Sequence, residues 1–521
     1  MTAPAAAGSA ATAPARSGTK ALLALILAVL SYSLVQTMLV PTLGILQTEL
    51  DTSAAGASWA VLSSTLLASA VLTPLISRLG DSYGKRRVLL VTLVLHLLGN
   101  IGAAAAWNVG SLIVFRGVQG VSLALLPLSL GLIREVLPPH RVAFGLGLTS
   151  GLVGGAAGLG LLVGGLIVDH ASWRWLFVAG GALVLLALVA VVRYVPEIRP
   201  SAPAARLDLA GVVLLGLALV CVLLGLTEGP SWGWASARVL GLFAGGVLFC
   251  AVFLRWERRV PHPLIDPALL LGRPIVGAHV GAFLLGATQF VFYVLVPKLA
   301  ELPAGLPPEA ARLVDYGFGA SVTVAGLILI PGTLLGLPAS SAVGRVEVRL
   351  GPRAPLVLGL ALSAVGGAAM ALFHAREWTT VVAYCVIGTG CGFAMAALPK
   401  LIHDVSPPHT IATANGINTV ARTMGGAVGS QLAAAVLASR VISGTSLPDD
   451  SGFTLAFWIA TAVAASGALY ALLSGNRSTT GKEISQEFIR VGDGGDGKVM
   501  GEREQKNGST AGSVDTAEST G

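Results

Sequence analysis

Arg116 and Arg422 are the residues of this chain best placed to do chemistry, because each stands several residues inside an otherwise apolar run. A guanidinium at the centre of a membrane helix costs about 2.5 to 3.5 kcal/mol on insertion scales, so it needs a polar cavity, an acidic partner or backbone carbonyls. Arginine does not readily give up its proton. The chemistry open to it is therefore electrostatic: tuning water, a neighbouring acid or a solute in transit. Gln119 follows Arg116 by one turn and is its hydrogen-bonding neighbour. The acids that could exchange protons lie elsewhere, Glu135 and Asp169 near the ends of apolar runs and Glu228 and Asp404 in loops. None stands at the centre of a run. The middles of the runs hold instead a neutral polar set, Tyr32, Gln36, Thr37, Gln289, Tyr293, Asn415 and Asn418, joined by His279. Aromatic and amide groups in an apolar cavity suit a large amphipathic solute, cationic or neutral. The same amides serve equally well to tie helices together.

Enzyme chemistry has no counterpart in the pattern. Cys221, Cys250, Cys385 and Cys391 lie inside apolar segments without the close pairing of a zinc site. A phosphate-binding Gly-x-x-x-x-Gly-Lys-Ser loop and an elbow serine with partners are both missing from the sequence. No cofactor and no metal are expected.

The elements that must position these residues are membrane helices. With 54% hydrophobic and 11% charged residues among 521, and a mean hydropathy of +0.80, the chain has too little polar surface for a water-soluble body. The formal net charge of +7 could suggest nucleic acid. The basic residues, however, sit in short loops without a dense patch or aromatic interleaving, so nucleic acid is not expected as a partner. Runs of about 20 apolar residues, enough to cross a ~30 Å hydrocarbon layer, number about fourteen. The first group runs Ala21 to Leu43, Trp59 to Leu79, Val88 to Trp107, Leu112 to Ile133, Ala143 to Val168 and Trp173 to Val192. A middle pair spans Leu209 to Leu226 and Val239 to Leu254. The last group runs Ile275 to Pro297, Gly317 to Leu337, Ala354 to Phe373, Thr379 to Leu398, Ile411 to Ser439 and Phe453 to Leu473.

The expected organisation is an all-α integral membrane protein: a disordered leader over 1–20, a six-helix bundle over 21–193, a linker with two extra spans over 194–274, a second six-helix bundle over 275–473, and a disordered tail over 474–521. With the N-terminus inside, inner loops and leader hold roughly nineteen Lys and Arg against about six outside, which puts both termini in the cytoplasm. The first span is read as a retained helix rather than a cleaved signal.

Ser77 to Arg87 reads Ser-Arg-Leu-Gly-Asp-Ser-Tyr-Gly-Lys-Arg-Arg, a polar turn between two apolar runs, and a weaker copy recurs from Gly344 to Arg353. Gly84 permits a sharp turn, Asp81 can cap a helix or pair with a cation, and Lys85 to Arg87 suit an anionic leaflet. In the copy Val348 stands where Asp81 does, so any latch built from both turns is asymmetric.

The first turn resembles the Gly-x-Leu-Ala-Asp-Arg-x-Gly-Arg-Lys loop signature of the major facilitator superfamily, matching at Leu79, Asp81, Gly84, Lys85 and Arg86, with Ser77 and Ser82 as departures. Phe115-Arg-Gly-Val-Gln-Gly120 resembles the Arg-x-x-Gln-Gly signature of its proton-driven drug antiporters. Gly160, Gly164 and Gly165 fit the family's antiporter glycine pattern, while Ala156 and Leu161 do not, and the missing proline predicts a straighter helix. Asp208-Leu-Ala-Gly211, Pro263-Leu-Ile-Asp-Pro267 and the Asn415, Arg422, Gly425, Gly426 series resemble the fourteen-helix branch of these antiporters. The branch's helix-1 acid is replaced by Tyr32.

The resemblance implies a carrier in a bacterial inner membrane that exports an amphipathic drug or natural product by alternating access, driven by protons and acting as a monomer. A symporter or facilitator for a small metabolite is the alternative. By the same resemblance, Arg116, Gln119 and Arg422 serve proton coupling, and Asp81, Gly84, Lys85 and Arg86 with Gly344, Arg349 and Gly351 form a cytoplasmic latch. Gly160, Gly164 and Gly165 then pack helices, and the neutral polar set lines the cavity.

Overall fold

In the computed structural model, residues 15–39, 42–52, 56–57, 59–198, 208–261, 263–265, 273–303, 313–407, 410–442, 445 and 447–473 are described. The proposed tail over 474–521 and most of the leader lie outside them. Backbone amides in hydrocarbon have no water to bond, so the chain satisfies them within helices. In order these are α1 (Ala15–Met38), α2 (Leu43–Glu49), α3 (Ser64–Tyr83, entered through a π-helical turn Trp59–Ser63), α4 (Lys85–Ala104), α5 (Val109–Gln119), α6 (Leu125–Val136), α7 (Pro139–His170), α8 (Arg174–Tyr194), α9 (Leu209–Trp232), α10 (Ala237–Glu257), α11 (Arg273–Glu301), α12 (Val322–Leu350), α13 (Ala354–Phe373), α14 (Glu377–Val405), α15 (Ile411–Ser439) and α16 (Asp450–Leu473). α1 starts at Ala15, so residues 15–20 are helical rather than part of a disordered leader.

Twelve of the resulting spans are long and apolar enough to cross a membrane, with α5 and α6 forming one span through a 3-10 turn, Gly120–Ala124. α7 adds a thirteenth as a bent pair, Pro139–Gly154 and Gly158–His170, at 42°. The 29-residue α15 is of membrane length but more polar, since it carries Asn415, Asn418 and Arg422. The bend in α7 corrects the expectation of a straight helix. Glycine here relaxes the helix without proline: Gly154 and Gly158 bracket the break, and each residue without a side chain weakens the ladder's resistance to bending.

The packing repeats. α1 lies on α7 and α4 on α8 in the first half; α11 lies on α15 and α13 on α16 in the second. Across the halves, α3 meets α15 and α12 meets α7, which relates them by a pseudo-two-fold exchange. α9 and α10 pair with each other, and α9 rests on α3 and α15 through Leu219, Leu223, Ala70 and Val420.

Helices in lipid gain little from hydrophobic contact with each other, so small residues set how closely they approach. A Cβ on Gly425 would fall 1.9 Å from the Phe283 carbonyl oxygen of α11, and one on Gly388 would fall 2.1 Å from the Gly332 carbonyl. Gly117 has open space. Gly425→Ala should therefore destabilise the purified protein by about 1 to 3 kcal/mol, seen as a lower melting temperature and loss of monodisperse protein. Gly117→Ala should leave both unchanged.

Candidate functional site

The polar hinge folds into the core. Gly84, at φ +104°, ends α3 and starts α4 in one residue, a backbone conformation that favours glycine. That reversal leaves Asp81 in the last turn of α3, facing the first turn of α15. The N-cap of α15, Thr410, supplies no side-chain hydrogen bond to its own helix. Asp81 does so from the other half. Its Oδ2 accepts from the Thr413 amide and the Thr413 hydroxyl, each at 2.8 Å, and its Oδ1 from the Ala412 amide at 3.4 Å. A carboxylate at a helix N-terminus also meets the positive end of the macrodipole.

The buried carboxylate is paired in turn. Lys85 Nζ lies 3.2 Å from Asp81 Oδ1 and 2.7 Å from Glu135 Oε1. Lys85 is itself buried, which corrects the expectation that it lies against lipid headgroups. Arg86 and Arg87 instead reach Glu197 beyond α8, at 3.6 Å and 2.5 Å, within the same half. Close approach completes the contact: a Cβ on Gly416 would lie 2.9 Å from the Ser77 Cβ.

In the second copy Gly351, at φ +96°, repeats the turn of Gly84. The rest departs. Val348 is exposed, Arg349 is exposed, and Gly344 has open space around it. The acid falls one residue earlier, where Glu347 pairs with Lys400 at 2.6 Å, and Lys400 also meets Asp404 at 2.8 Å. These contacts stay inside the second half.

Arg116 is 1% exposed and faces protein, not headgroups. Its Nε and Nη2 donate to the carbonyls of Ala60 (3.3 Å) and Val61 (2.5 Å), and its Nη1 to Gln119 Oε1 at 2.6 Å. The π turn that offers these carbonyls widens the helix where the guanidinium enters. Thr65 and Ser69 return hydrogen bonds to the carbonyls of Arg116 and Gly120. Around this clamp lie buried polar atoms with no partner among the described residues: both ring nitrogens of His96, Asn100 Oδ1 and Gln119 Nε2. Sequence reading missed His96 and Asn100. The signal was present as two lone polar residues one turn apart in an apolar run.

The neutral polar set divides. Gln289 and Tyr293 line a cavity of about 20 Å³ between the halves, with Gly151 and Gly154 of α7 on one side and Tyr384 and Gly388 on the other. That is room for about one water. Gln289 Nε2 donates to Tyr293 Oη at 2.7 Å, and Tyr293 donates to the Gly154 carbonyl at 3.3 Å across the seam. Tyr32 is buried with its hydroxyl unpartnered among the described residues. Thr37 is taken up by helix packing, its hydroxyl on the carbonyls of Ser33 and Leu34, with Gly160 pressed against it. Asn415 Nδ2 turns back to the Ile411 carbonyl and Asn418 Nδ2 donates to the Ala278 carbonyl, both at 3.0 Å. Neither amide is among the residues that line this cavity. Gln36 is half-buried away from the cavity lining. Gly160 and Gly164 lie on α1, and Gly165 lies on Thr323 of α12. Near them Asp169 accepts from Thr323 at 2.9 Å, a second tie between the halves at the opposite end from the hinge.

A chain of membrane-length helices in two pseudo-symmetric halves, tied across their seam through Asp81, Tyr293 and Asp169, is a multi-pass membrane transporter. It belongs to the major facilitator superfamily, which it matches over residues 25–430 and 278–493. It is 30% identical over 431 residues, 82% of this chain and 77% of the relative, to the tetracenomycin C resistance and export protein of Streptomyces glaucescens. It is 28% identical over 375 residues, 71% of this chain and 70% of the relative, to multidrug resistance protein 3 of Bacillus subtilis. Among solved structures, a proton:xylose symporter superposes with a TM-score of 0.61 at 16% identity, covering 91% of this chain and 99% of that one, a likeness of fold.

Removing the Arg116 side chain strands two buried carbonyls and Gln119 Oε1, each worth about 1 to 3 kcal/mol when left unpaired. Arg116→Ala should lower the melting temperature of the detergent-solubilised protein by several degrees. Arg116→Lys, with one ammonium for three acceptors, should fall between it and the native chain. A native melting temperature for Arg116→Ala would rule out the clamp.

Proposed function

We propose that this chain is a secondary exporter of amphipathic drugs or natural products, working by alternating access. In this reading it lies in a bacterial inner membrane with both termini cytoplasmic, and it works as a monomer. The observation that carries the reading is the Asp81 contact: a hinge residue of one half caps a helix of the other, so the halves are held together at one end by bonds that water can replace. The resistance and export relatives support the direction of transport. Asp81, Gly84 and Lys85 then close the cytoplasmic side, with Glu347 and Lys400 bracing the second half. Arg116 and Gln119 shape the polar pocket that holds His96. Proton influx is the driving force in this reading, each proton supplying ~2.3 kcal/mol per 100 mV and ~1.4 kcal/mol per pH unit. A metabolite facilitator is the second reading, and one observation favours it: Tyr32 stands in α1 where a proton-carrying acid would be expected.

Two measurements test this. Cysteines at Ser77 and Gly416 sit close enough to bridge after a small shift. Oxidation of that pair should stop dye transport in proteoliposomes, and a reductant should restore it; undiminished transport in the crosslinked protein would mean that the hinge does not open. An acidic lumen should accelerate dye uptake into inverted vesicles, and uptake indifferent to the pH step would favour the facilitator.

A further inference from the structure

We propose that Arg422 is the anion-binding group of the transport path, so that the solutes carried are amphipathic acids bearing a carboxylate or an ionised phenol. This deepens the carrier reading above and rests on it. Arg422 is 9% exposed, in the middle of α15, and makes no hydrogen bond or ion pair among the described residues. Arg116 shows what this chain does with a guanidinium that serves structure: three acceptors surround it. Arg422 has no such set.

Its surroundings point to the seam. Its backbone lies against Gly286 of α11, where a Cβ would come 2.0 Å from the Arg422 carbonyl oxygen, about one turn from Gln289 and two from Tyr293, which line the cavity between the halves, and its charge acts on the Tyr32 and Tyr293 phenols. The Tyr32 hydroxyl is a second unspent donor. Acids on the helices packed against α15 cannot neutralise the charge, since Asp81, Glu135, Glu228, Glu301, Glu377, Asp404 and Asp450 all stand within about a turn of a helix end. Asp81, the one that touches α15, is bound to its first turn, about 13 Å along the axis from Arg422. A buried guanidinium without a counter-charge repels cations and is stabilised by any anion that reaches it, most strongly by a carboxylate accepting two parallel N–H bonds. Apolar walls and tyrosine rings accommodate the rest of an amphiphile. In this proposal the solute's anionic group supplies the counter-charge that the chain does not.

The test is equilibrium binding to the full-length chain in phosphatidylcholine nanodiscs. The probes are fluorescein and rhodamine 123, which share a xanthene skeleton and differ in charge. The native chain should bind the anionic dye more tightly, and Arg422→Gln should cut the fluorescein-to-rhodamine affinity ratio by about tenfold or more. Arg422→Lys should retain most of it, and Tyr32→Phe, which alters one hydroxyl and leaves packing intact, should weaken fluorescein alone by about threefold. A native preference for rhodamine 123, binding of neither dye, or equal loss of both in Arg422→Gln with Tyr32→Phe unaltered would overturn the assignment. Fluorescein displaced by phosphatidylglycerol added to the nanodisc would give the guanidinium to a lipid and overturn it as well. Because binding is read without a gradient, a failure of export or proton coupling leaves this result standing, and the reverse.

Discussion

The first amides of α15 have no acceptor in their own helix, as at any helix start, and the end is buried, so water does not supply one. Asp81 supplies it across the interface between the halves. A lone buried carboxylate would be prohibitive, so Lys85 stands beside it, and Glu135 beside Lys85. The members of such a chain cannot be removed singly, since loss of one leaves its neighbour's charge uncompensated. Opening the hinge is different from deleting a member: the amides and carboxylate then exchange each other for water together. Bonds of this kind can be exchanged for water, which a fused hydrophobic contact cannot.

The remainder of the seam follows a second rule. α7 and α12 meet along their length through small residues, with Gly151 against Ser340, Gly158 against Thr333 and Gly165 against Thr323. Surfaces of this kind carry few interlocking side chains, so one helix can shift on another without forcing rotamers into clashes. The break at Gly154 to Gly158 lies beside Gln289 and Tyr293, where α7 passes the cavity. The bend and the polar lining coincide there, midway between the Asp81 tie and the Asp169 tie.

Charge is rare in a membrane sequence, so the charged features were legible: the hinge, Arg116, Arg422 and the run of spans all stand out against apolar background. What they bond to was not. Arg116 found backbone carbonyls of a π turn, and neither the carbonyls nor the turn leaves a mark in side-chain pattern. Asn415 and Asn418 read as cavity residues, yet a helical amide can always return to a carbonyl, and the sequence does not say when it will. Glu347 sits one residue away from the register of Asp81, a shift of about 100° around a helix, enough to turn it from the partner half to Lys400 of its own. The bend of α7 was hidden for a related reason: proline is the familiar cause, and paired glycines are usually read as packing.

The unequal hinges have a reason in the helices they face. α15 begins with Ile411, Ala412 and Thr413, each carrying an amide that needs an acceptor, and Asp81 answers two of them. Its counterpart by the pseudo-two-fold exchange is α7, which starts at Pro139 after Pro138. Proline at the first helical position has no N–H to satisfy, and the Arg141 amide already bonds the Pro138 carbonyl at 2.9 Å. α7 therefore asks little of a capping acid from the second half, and Glu347 is free to brace α14 through Lys400. A two-fold related device would hold both hinges with equal strength, whereas here one helix start depends on the opposite half and the other is nearly self-sufficient. At that end of the seam the first amides of α15 are held by Asp81, and Arg134 of α6 adds a hydrogen bond from its Nη1 to the Ser406 carbonyl at 3.4 Å, so both ties join the first half to the ends of α14 and α15.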